Sequence, residues 1–457
     1  MVFTDPVANP AAEADTSGSY QRTTYAVWEI TLKCNLACAH CGSRAGDSRV
    51  DELSTAEAFD LIHQMADLGI KEVSLIGGEA FLRKDWLDLA TEITRVGMRP
   101  TMTTGGFGIS ERTAERMAEA GIRGVSVSVD GLEAVHDKLR GRKGSWKQVF
   151  QTLAHFRKVG IPFGCNTQIN RLSAPQFPLL YQTLLDAGVS FWQIQLTVPM
   201  GNAVESNQIL MQPWELVDLY PMLAWLSKTG HAEGLQIQPG NNIGYFGPYE
   251  RAMRGVRFKD NQNVFYTGCN AGLQVIGIEA DGSIKGCPSL PTNAYTGGNI
   301  REKKLEDIFY NAEELKFNEN AGTPEGTDHL WGGCKGCEFA ELCRGGCNWT
   351  AHVFFGKRGN NPYCHHRALK QVANGQRERF SLKTGAAGLP FDHGIFDMVT
   401  EPFNAPYDDP LAFSLDKVQF PERLVASYEG NLLAGLKEHR DKYLKYYAER
   451  FPLAQPV

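Results

Sequence analysis

The chain has 457 residues, 42% of them apolar and 21% charged. At roughly 150 residues per domain the length suggests about three domains, and the composition excludes a chain disordered as a whole. Lys and Arg number 46 against 52 Asp and Glu, a net charge of −6; this excludes the basic surface of a nonspecific nucleic-acid binder. No apolar run approaches the roughly 20 residues that span a bilayer, so no membrane partner is expected. The opening MVFTDPVANPAAEADTSGSY lacks the basic start and apolar core of a secretory signal. Residues 1–24 read as a flexible tail, and the protein is expected in the cytoplasm.

From residue 25 to 235 strand and helix signals alternate. β-Branched or aromatic runs at Tyr25–Leu32, Glu72–Ile76, Arg99–Thr103, Gly124–Val129, Phe163–Gln168 and Phe191–Thr197 predict six strands. In Ser54–Leu68, residues Ala58, Leu61, Ile62, Met65 and Leu68 share one helical face, and Ser54 and Glu57 form a capping box. Further helices start at Ser110 and Ser145, and Gly69, Gly121 and Gly160 follow helical runs as stop signals. Six such units predict an α/β fold with a parallel sheet curved into an incomplete, TIM-like (β/α)6 barrel. Residues 236–268 lose periodicity and read as a linker. Residues 269–376 contain a hairpin with Asp281-Gly282 at its turn and are rich in Cys and loops, a segment expected to fold around metal. Residues 377–457 form a C-terminal extension. Its Phe391–Phe420 part reads as an extended strap, and Arg423–Phe451 as an amphipathic helix with Leu424, Tyr428, Leu432, Leu436, Tyr443 and Tyr447 as apolar positions.

The chain carries 11 cysteines. An odd number argues against a closed disulfide framework, and in a reducing cytosol clustered cysteines are more often metal ligands. Cys34, Cys38 and Cys41 form C-x3-C-x2-C directly after the first predicted strand, where the loops of a parallel barrel build the catalytic face. Three thiolates can hold three irons of a 4Fe–4S cluster and leave the fourth open, as a catalytic metal requires. A zinc loop is the competing reading, although no nearby His obviously completes a tetrahedron: His40 lies inside the loop itself.

At this loop the sequence resembles the radical S-adenosylmethionine (SAM) enzymes. Gly77-Gly78-Glu79 after the second strand looks like the family's GGE motif, and Ser128 and Asp130 in SVSVDG match its S-x-D pattern. Arg140 stands where relatives hold the SAM carboxylate, and His40 at the usual aromatic position before the third cysteine. Ala80 replaces the common Pro after GGE, and Thr104-Gly105 stands where Asn-Gly is frequent. The resemblance implies that Cys34, Cys38 and Cys41 carry the catalytic cluster. It implies that His40, Gly77, Gly78, Glu79, Ser128, Asp130 and Arg140 contact SAM. One electron then cleaves SAM to a 5′-deoxyadenosyl radical that abstracts hydrogen from substrate. An external electron donor such as flavodoxin or ferredoxin is implied. A noncatalytic iron–sulfur carrier is a different reading, disfavoured because a carrier needs no SAM site.

The remaining cluster cysteines follow in one block. Cys269 is followed by Gly282-x4-Cys287, then by C-x2-C-x5-C-x3-C at Cys334, Cys337, Cys343 and Cys347, then by Cys364. This resembles a SPASM domain, which binds two auxiliary 4Fe–4S clusters. The family implies interleaved ligands: Cys269, Cys287 and Cys347 for one cluster, and Cys334, Cys337, Cys343 and Cys364 for the other, making three clusters in all. The first set lacks a fourth cysteine. Cys165, in the fifth predicted strand, reads as core filling, with a hydrogen-atom donor facing substrate as the alternative.

SPASM-bearing relatives mostly modify peptides or proteins. The expected function is therefore a maturase forming a carbon–carbon or thioether cross-link in a ribosomal peptide or protein. The alternative is a small-molecule oxidase or decarboxylase acting on a cofactor precursor. Only about 24 residues precede the first strand, too few for an N-terminal leader-binding domain; a separate leader-binding protein, the C-terminal section or direct recognition is expected to replace it. Pro288 after Cys287, where sulfatase maturases carry an acidic base, counts against formylglycine formation.

Overall fold

Each barrel strand is followed by helix that carries the chain back to the same edge of the sheet, so the next strand must run parallel. The computed structural model describes residues 25–255, 266, 268–320 and 323–453; the expected N-terminal tail and the middle of the expected linker lie outside them. The strands are β1 (Tyr25–Glu29), β2 (Glu72–Ile76), β3 (Arg99–Thr104), β4 (Val125–Ser128), β5 (Phe163–Ile169), β6 (Phe191–Leu196) and β7 (Gln236–Pro239). The helices are α1 (Thr55–Asp67), α2 (Trp86–Arg95), α3 (Glu111–Glu119), α4 (Glu133–Arg140), α5 (Ser145–Val159), α6 (Phe177–Asp186) and α7 (Leu216–Glu233). The Ser54 capping box is present: the Ser54 amide donates to Glu57 Oε2 at 2.8 Å, and the Glu57 amide donates to Ser54 Oγ at 3.3 Å. The seventh strand, β7, falls in the segment read as linker. It is four residues long and polar at alternate positions, too short to register as a strand signal.

The sheet does not stop at β1. Three further strands, β8 (Val275–Ile278), β9 (Ser283–Lys285) and β10 (Thr296–Asn299), extend it to ten strands in the order β10-β9-β8-β1-β2-β3-β4-β5-β6-β7. β8 pairs parallel with β1, Tyr25 opposite Val275. The hairpin with Asp281-Gly282 at its turn is thus joined to the barrel by backbone hydrogen bonds. Gly277 in β8 is required by close approach, because a Cβ there would run into the backbone of Cys287 and Pro288.

Strand alternation separates two environments. Trp28, Val73, Leu75, Val127, Cys165 and Trp192 point outward and pack with Leu61, Leu89, Phe156 and Leu180 in one core cluster. The inward positions are polar: Ser126, Ser128, Asn166, Gln168, Gln193 and Gln195 are all half-buried. Among the described residues no helix is long and apolar enough to cross a membrane.

The C-terminal extension packs on this body. β11 (Gln376–Thr384) and β12 (Ile395–Pro402) form an antiparallel hairpin, so part of the expected strap is strand. The expected terminal helix is interrupted: Glu422–Ala426 and Leu432–Arg450 are helical, and the Asn431 side chain caps the second by accepting from the Ala434 amide at 3.0 Å. Leu424, Leu432, Leu436, Tyr443 and Tyr447 are buried in the same core cluster as the barrel. Arg171, after β5, ties the extension down. Its guanidinium donates to Glu215 at 2.9 and 3.0 Å, to Asp409 at 2.6 Å and to the Tyr407 hydroxyl at 3.0 Å. Glu215 is itself 1% exposed. Arg171→Ala would strand that buried carboxylate and should cost roughly 3–5 kcal/mol in chemical denaturation of the anaerobic protein. Lys437→Ala, which opens the solvent-facing pair with Asp416, should cost under about 1 kcal/mol.

Candidate active site

The loop after β1 is shaped by backbone contacts on both sides. The Cys34 amide donates to Gly46 O at 2.8 Å, the Ala37 amide to Arg140 O at 3.1 Å and the Ala39 amide to Leu139 O at 2.8 Å. The last two bonds satisfy carbonyls at the C-terminal end of α4. Asn202 holds the other flank, donating from Nδ2 to Cys38 O at 2.9 Å and from its amide to Cys41 O at 3.0 Å. Gly77 and Gly78 lie so close that a Cβ on either would run into the Thr31 or Lys33 carbonyl. The Gly78 and Glu79 amides donate to those same carbonyls at 2.9 and 2.8 Å. The two glycines therefore answer first to the packing of one strand-end loop on another.

A cavity of about 250 Å³ opens over this loop, and Cys34, Cys38, His40, Cys41, Gly77, Gly78, Glu79, Ser128, Asp130 and Arg140 all line it. These ten barrel residues thus meet at one place. Asp130 is fully buried. Its Oδ2 lies 2.6 Å from Arg140 Nη2 and 3.1 Å from His40 Nε2, and its Oδ1 accepts from the Gln168 amide at 2.9 Å. Burial pushes its carboxyl up, but Arg140 and His40 outweigh burial and hold it well below the usual range. Arg140 also reaches Cys38 Sγ at 3.7 Å. Its charge is thus already partnered by a carboxylate, which the sequence did not reveal. Glu79 accepts from the Thr104 hydroxyl and the Gly105 amide, both at 2.5 Å, and burial pushes it up to about 7.

The donor set fits a metal cluster. Burial pushes Cys34 up to about 11 and Cys38 up to about 12, so converging thiolates need a multivalent cation to coexist there. Amide donors already point at the sulfurs: Leu36 N at 3.4 Å from Cys34 Sγ and Ala45 N at 3.4 Å from Cys41 Sγ. Such bonds favour the ligating thiolate.

The later cysteines lie in the Cys-rich region, where Cys347 packs in one apolar cluster with Cys343 and Cys364. Cys347 is influenced electrostatically by Cys269 and Cys287, and burial pushes Cys347 up to about 12 and Cys287 up to about 11. Tyr295, Phe317 and Trp349 pack around Cys269 and Cys287. Cys334, Cys337, Cys343 and Cys364 line a separate cavity of about 200 Å³. There the Asn361 amide points at Cys334 Sγ (3.3 Å), the Phe339 amide at Cys337 Sγ (3.5 Å) and the Arg367 amide at Cys364 Sγ (3.5 Å). Glu338 and His366, unmarked in the sequence, place ligand atoms within 4.8 Å of Cys337 and of each other.

A further cavity of about 200 Å³ shares His40, Ile76, Gly77, Gln168 and Gln195 with the first, and so continues it. Its other walls come from three parts of the chain: Glu29 and Met200 of the barrel, Ser289 and Trp349 of the Cys-rich region, and Phe391 of the C-terminal extension. These residues escaped the sequence reading. A signal was present in Asn166-x-Gln168 and Gln193-x-Gln195, because parallel strands covered on both faces are usually apolar throughout.

Comparison with known proteins places this geometry. Residues 28–170 match the Radical SAM superfamily. The AdoMet-dependent heme synthase of Methanosarcina barkeri (strain Fusaro / DSM 804) is 28% identical over 356 residues, covering 75% of this chain and 97% of its own. The PqqA peptide cyclase of Rhizobium meliloti (strain 1021) is 24% identical over 391 residues, 85% of this chain and 97% of its own. Among solved structures, Streptococcus suis SuiB bound to S-adenosylmethionine shares the fold with a TM-score of 0.58 at 18% identity, over 75% of this chain and 76% of that one.

Cys165 stands apart from all these groups. It pairs in register with Val127 and Trp192, is fully buried, and belongs to the outward core, while Asn166 and Gln168 line the cavity. It fills core rather than facing the cavity. Cys165→Ser should lower stability by about 1–3 kcal/mol through a buried hydroxyl, with metal content unchanged in the anaerobically purified protein. A hydrogen-donor role would instead appear as lost turnover at unchanged stability.

Proposed function

We propose that the chain is a radical SAM enzyme with a SPASM-type Cys-rich region, and that it is a peptide or protein maturase that cross-links a side chain of a ribosomal product through a carbon–carbon or thioether bond. In this reading Cys34, Cys38 and Cys41 hold a 4Fe–4S cluster with one open iron. Glu79 receives the amino group of SAM, with Gly77, Gly78 and Ser128 around it. Asp130 fixes Arg140 and His40 so that they frame the remaining polar groups of SAM. Bound together, the cluster and SAM supply the 5′-deoxyadenosyl radical that takes hydrogen from substrate. Cys269, Cys287 and Cys347 hold a second cluster, without a fourth cysteine. Cys334, Cys337, Cys343 and Cys364 hold a third. An external donor such as flavodoxin or ferredoxin reduces the enzyme, and a separate leader-binding protein presents the peptide.

The observation that carries the peptide reading is the second cavity. It continues the SAM-side cavity, is walled by the barrel, the Cys-rich region and the extension together, and at about 200 Å³ suits one projecting side chain. A second reading, modification of a small cofactor precursor, is favoured by the 28% identity to the AdoMet-dependent heme synthase of Methanosarcina barkeri. Mass spectrometry of reactions with short peptides encoded beside the gene, run against tetrapyrrole precursors, separates the two. Loss of two hydrogens from a peptide supports the first; a changed tetrapyrrole with unchanged peptides supports the second.

Anaerobically reconstituted protein should carry about twelve irons per chain. Replacing Cys34, Cys38 and Cys41 together by Ala should abolish 5′-deoxyadenosine formation while about two thirds of the iron remains. SAM affinity should also fall as pH drops through about 7, because Glu79, pushed up to about 7 by burial, then gains a proton and loses its attraction for an ammonium group. Equilibrium dialysis between about pH 6 and 8 should show this slope in the wild type and a flatter profile in Glu79→Gln.

A further inference from the structure

Glu29, the last residue of β1, lines the second cavity and is only 2% exposed. Its Oε1 is buried with no hydrogen-bond partner. The nearest cation, Arg49, lies 3.6 Å from that oxygen, beyond hydrogen-bond range. Arg49 is already engaged elsewhere, 2.9 Å from Glu279 Oε2 and 3.5 Å from Asp281 Oδ2. Lys285 is engaged too, with Nζ 2.7 Å from both Glu279 Oε1 and the Leu290 carbonyl. Three carboxylates, Glu29, Glu279 and Asp281, thus share two cations, and neither cation hydrogen-bonds Glu29 Oε1.

Of these five side chains, Glu29 alone lines the cavity. Around it the polar lining is neutral, with Gln168, Gln195 and Thr197, and the one other ionisable side chain, His40, is held by Asp130. Trp349 adds aromatic surface to the same space, which favours a cation; the Phe391 ring already carries Lys285 Nζ 4.0 Å from its centroid. We propose that Glu29 determines substrate specificity by binding a cationic amino or guanidinium group, the terminus of a lysine- or arginine-type side chain. The inference rests on the maturase reading, and names the chemistry of the side chain that enters. Burial, the leading influence, pushes Glu29 up to about 8, although Arg49 and Lys285 act against it. A substrate cation supplies Oε1 with a partner and holds the carboxylate ionised. A neutral side chain of the same length leaves Oε1 unpartnered.

The probes are N-acetyl-L-lysine amide, N-acetyl-L-arginine amide and the uncharged N-acetyl-L-norleucine amide. Each is titrated into anaerobically reconstituted, SAM-loaded enzyme and followed by ligand-observed NMR. The wild type should bind the better of the two cationic probes at least about tenfold more tightly than norleucine amide, a difference of about 1.4 kcal/mol. In Glu29→Gln, which keeps the shape and removes the charge, the ratio should fall to within about twofold. A ratio below that threshold in the wild type, no binding of either cationic probe, or selectivity that survives in Glu29→Gln overturns the proposal. Should Glu29→Gln fail to fold, the wild-type ratio decides alone. Wild-type 5′-deoxyadenosine formation is measured alongside. Its absence would sink the proposed function, whereas SAM cleavage without cation selectivity sinks only the role of Glu29.

Discussion

Asp130 is one buried carboxylate that joins the side chains of two parts of the chain. His40 belongs to the three-cysteine loop and Arg140 to the end of α4, and Asp130 at the end of β4 holds both. Without it, the Arg140 guanidinium, pushed up because Asp130 and Cys38 outweigh its burial, would stand as an unpaired charge in the protein interior. The loop would then rest on its bonds to Gly46, Leu139, the Arg140 carbonyl and Asn202. This charge arrangement decides the local chemistry. The positive side chain nearest Cys38 is compensated before any thiolate forms, so ligation does not depend on Arg140 alone.

The same economy of contacts fixes the rest of the molecule to the barrel. β8 completes its hydrogen bonds on β1, which makes the Cys-rich region a continuation of the sheet. The extension closes from the other side through Arg44. Its guanidinium donates to Asp392 Oδ1 at 2.7 Å, to Asn202 Oδ1 at 3.1 Å and to the Gly201 carbonyl at 3.0 Å. Asp392 in turn accepts from the Gly388 and Leu389 amides at 2.5 and 2.9 Å. These bonds hold the neighbouring Phe391 at a φ of 56°, a conformation that a bulky residue adopts only when its surroundings impose it. The aromatic wall of the second cavity is therefore built by contacts with the cysteine loop's own flank.

What the sequence showed followed from locality. Strands β1 to β6, the Ser54 cap and the hairpin at Asp281-Gly282 depend on neighbours a few residues away, and each stands within three residues of its expected bounds. Strand β7 did not, because Gln236–Pro239 is strand only by lying beside β6. The ten barrel residues were legible through their order at strand ends, but the Asp130–Arg140 pair was not, since no local pattern says which charge meets which. Cys165 was ambiguous for the same reason: one step of register separates the core face from the cavity face. Glu29 gave no sign at all. It closes the run YAVWE, and only the fold, which buries it beside Arg49, Glu279 and Lys285, leaves its Oε1 without a hydrogen-bond partner.

The two later cysteine groups differ in what lies next to them, and that difference carries their division of labour in the proposed reading. Ser289 and Trp349 stand two residues after Cys287 and Cys347, and both line the second cavity. A group bound in that cavity therefore touches the chain beside two of the three cysteines. The four-cysteine group has no such link. Its cavity is lined instead by Phe339, His366, Arg367 and Lys370, and shares no residue with either barrel cavity. Since influence between a substrate and a cluster falls with distance and with the number of intervening groups, the three-cysteine group is the one whose environment a bound side chain alters. The four-cysteine group, with its full complement of thiols, is insulated from substrate identity.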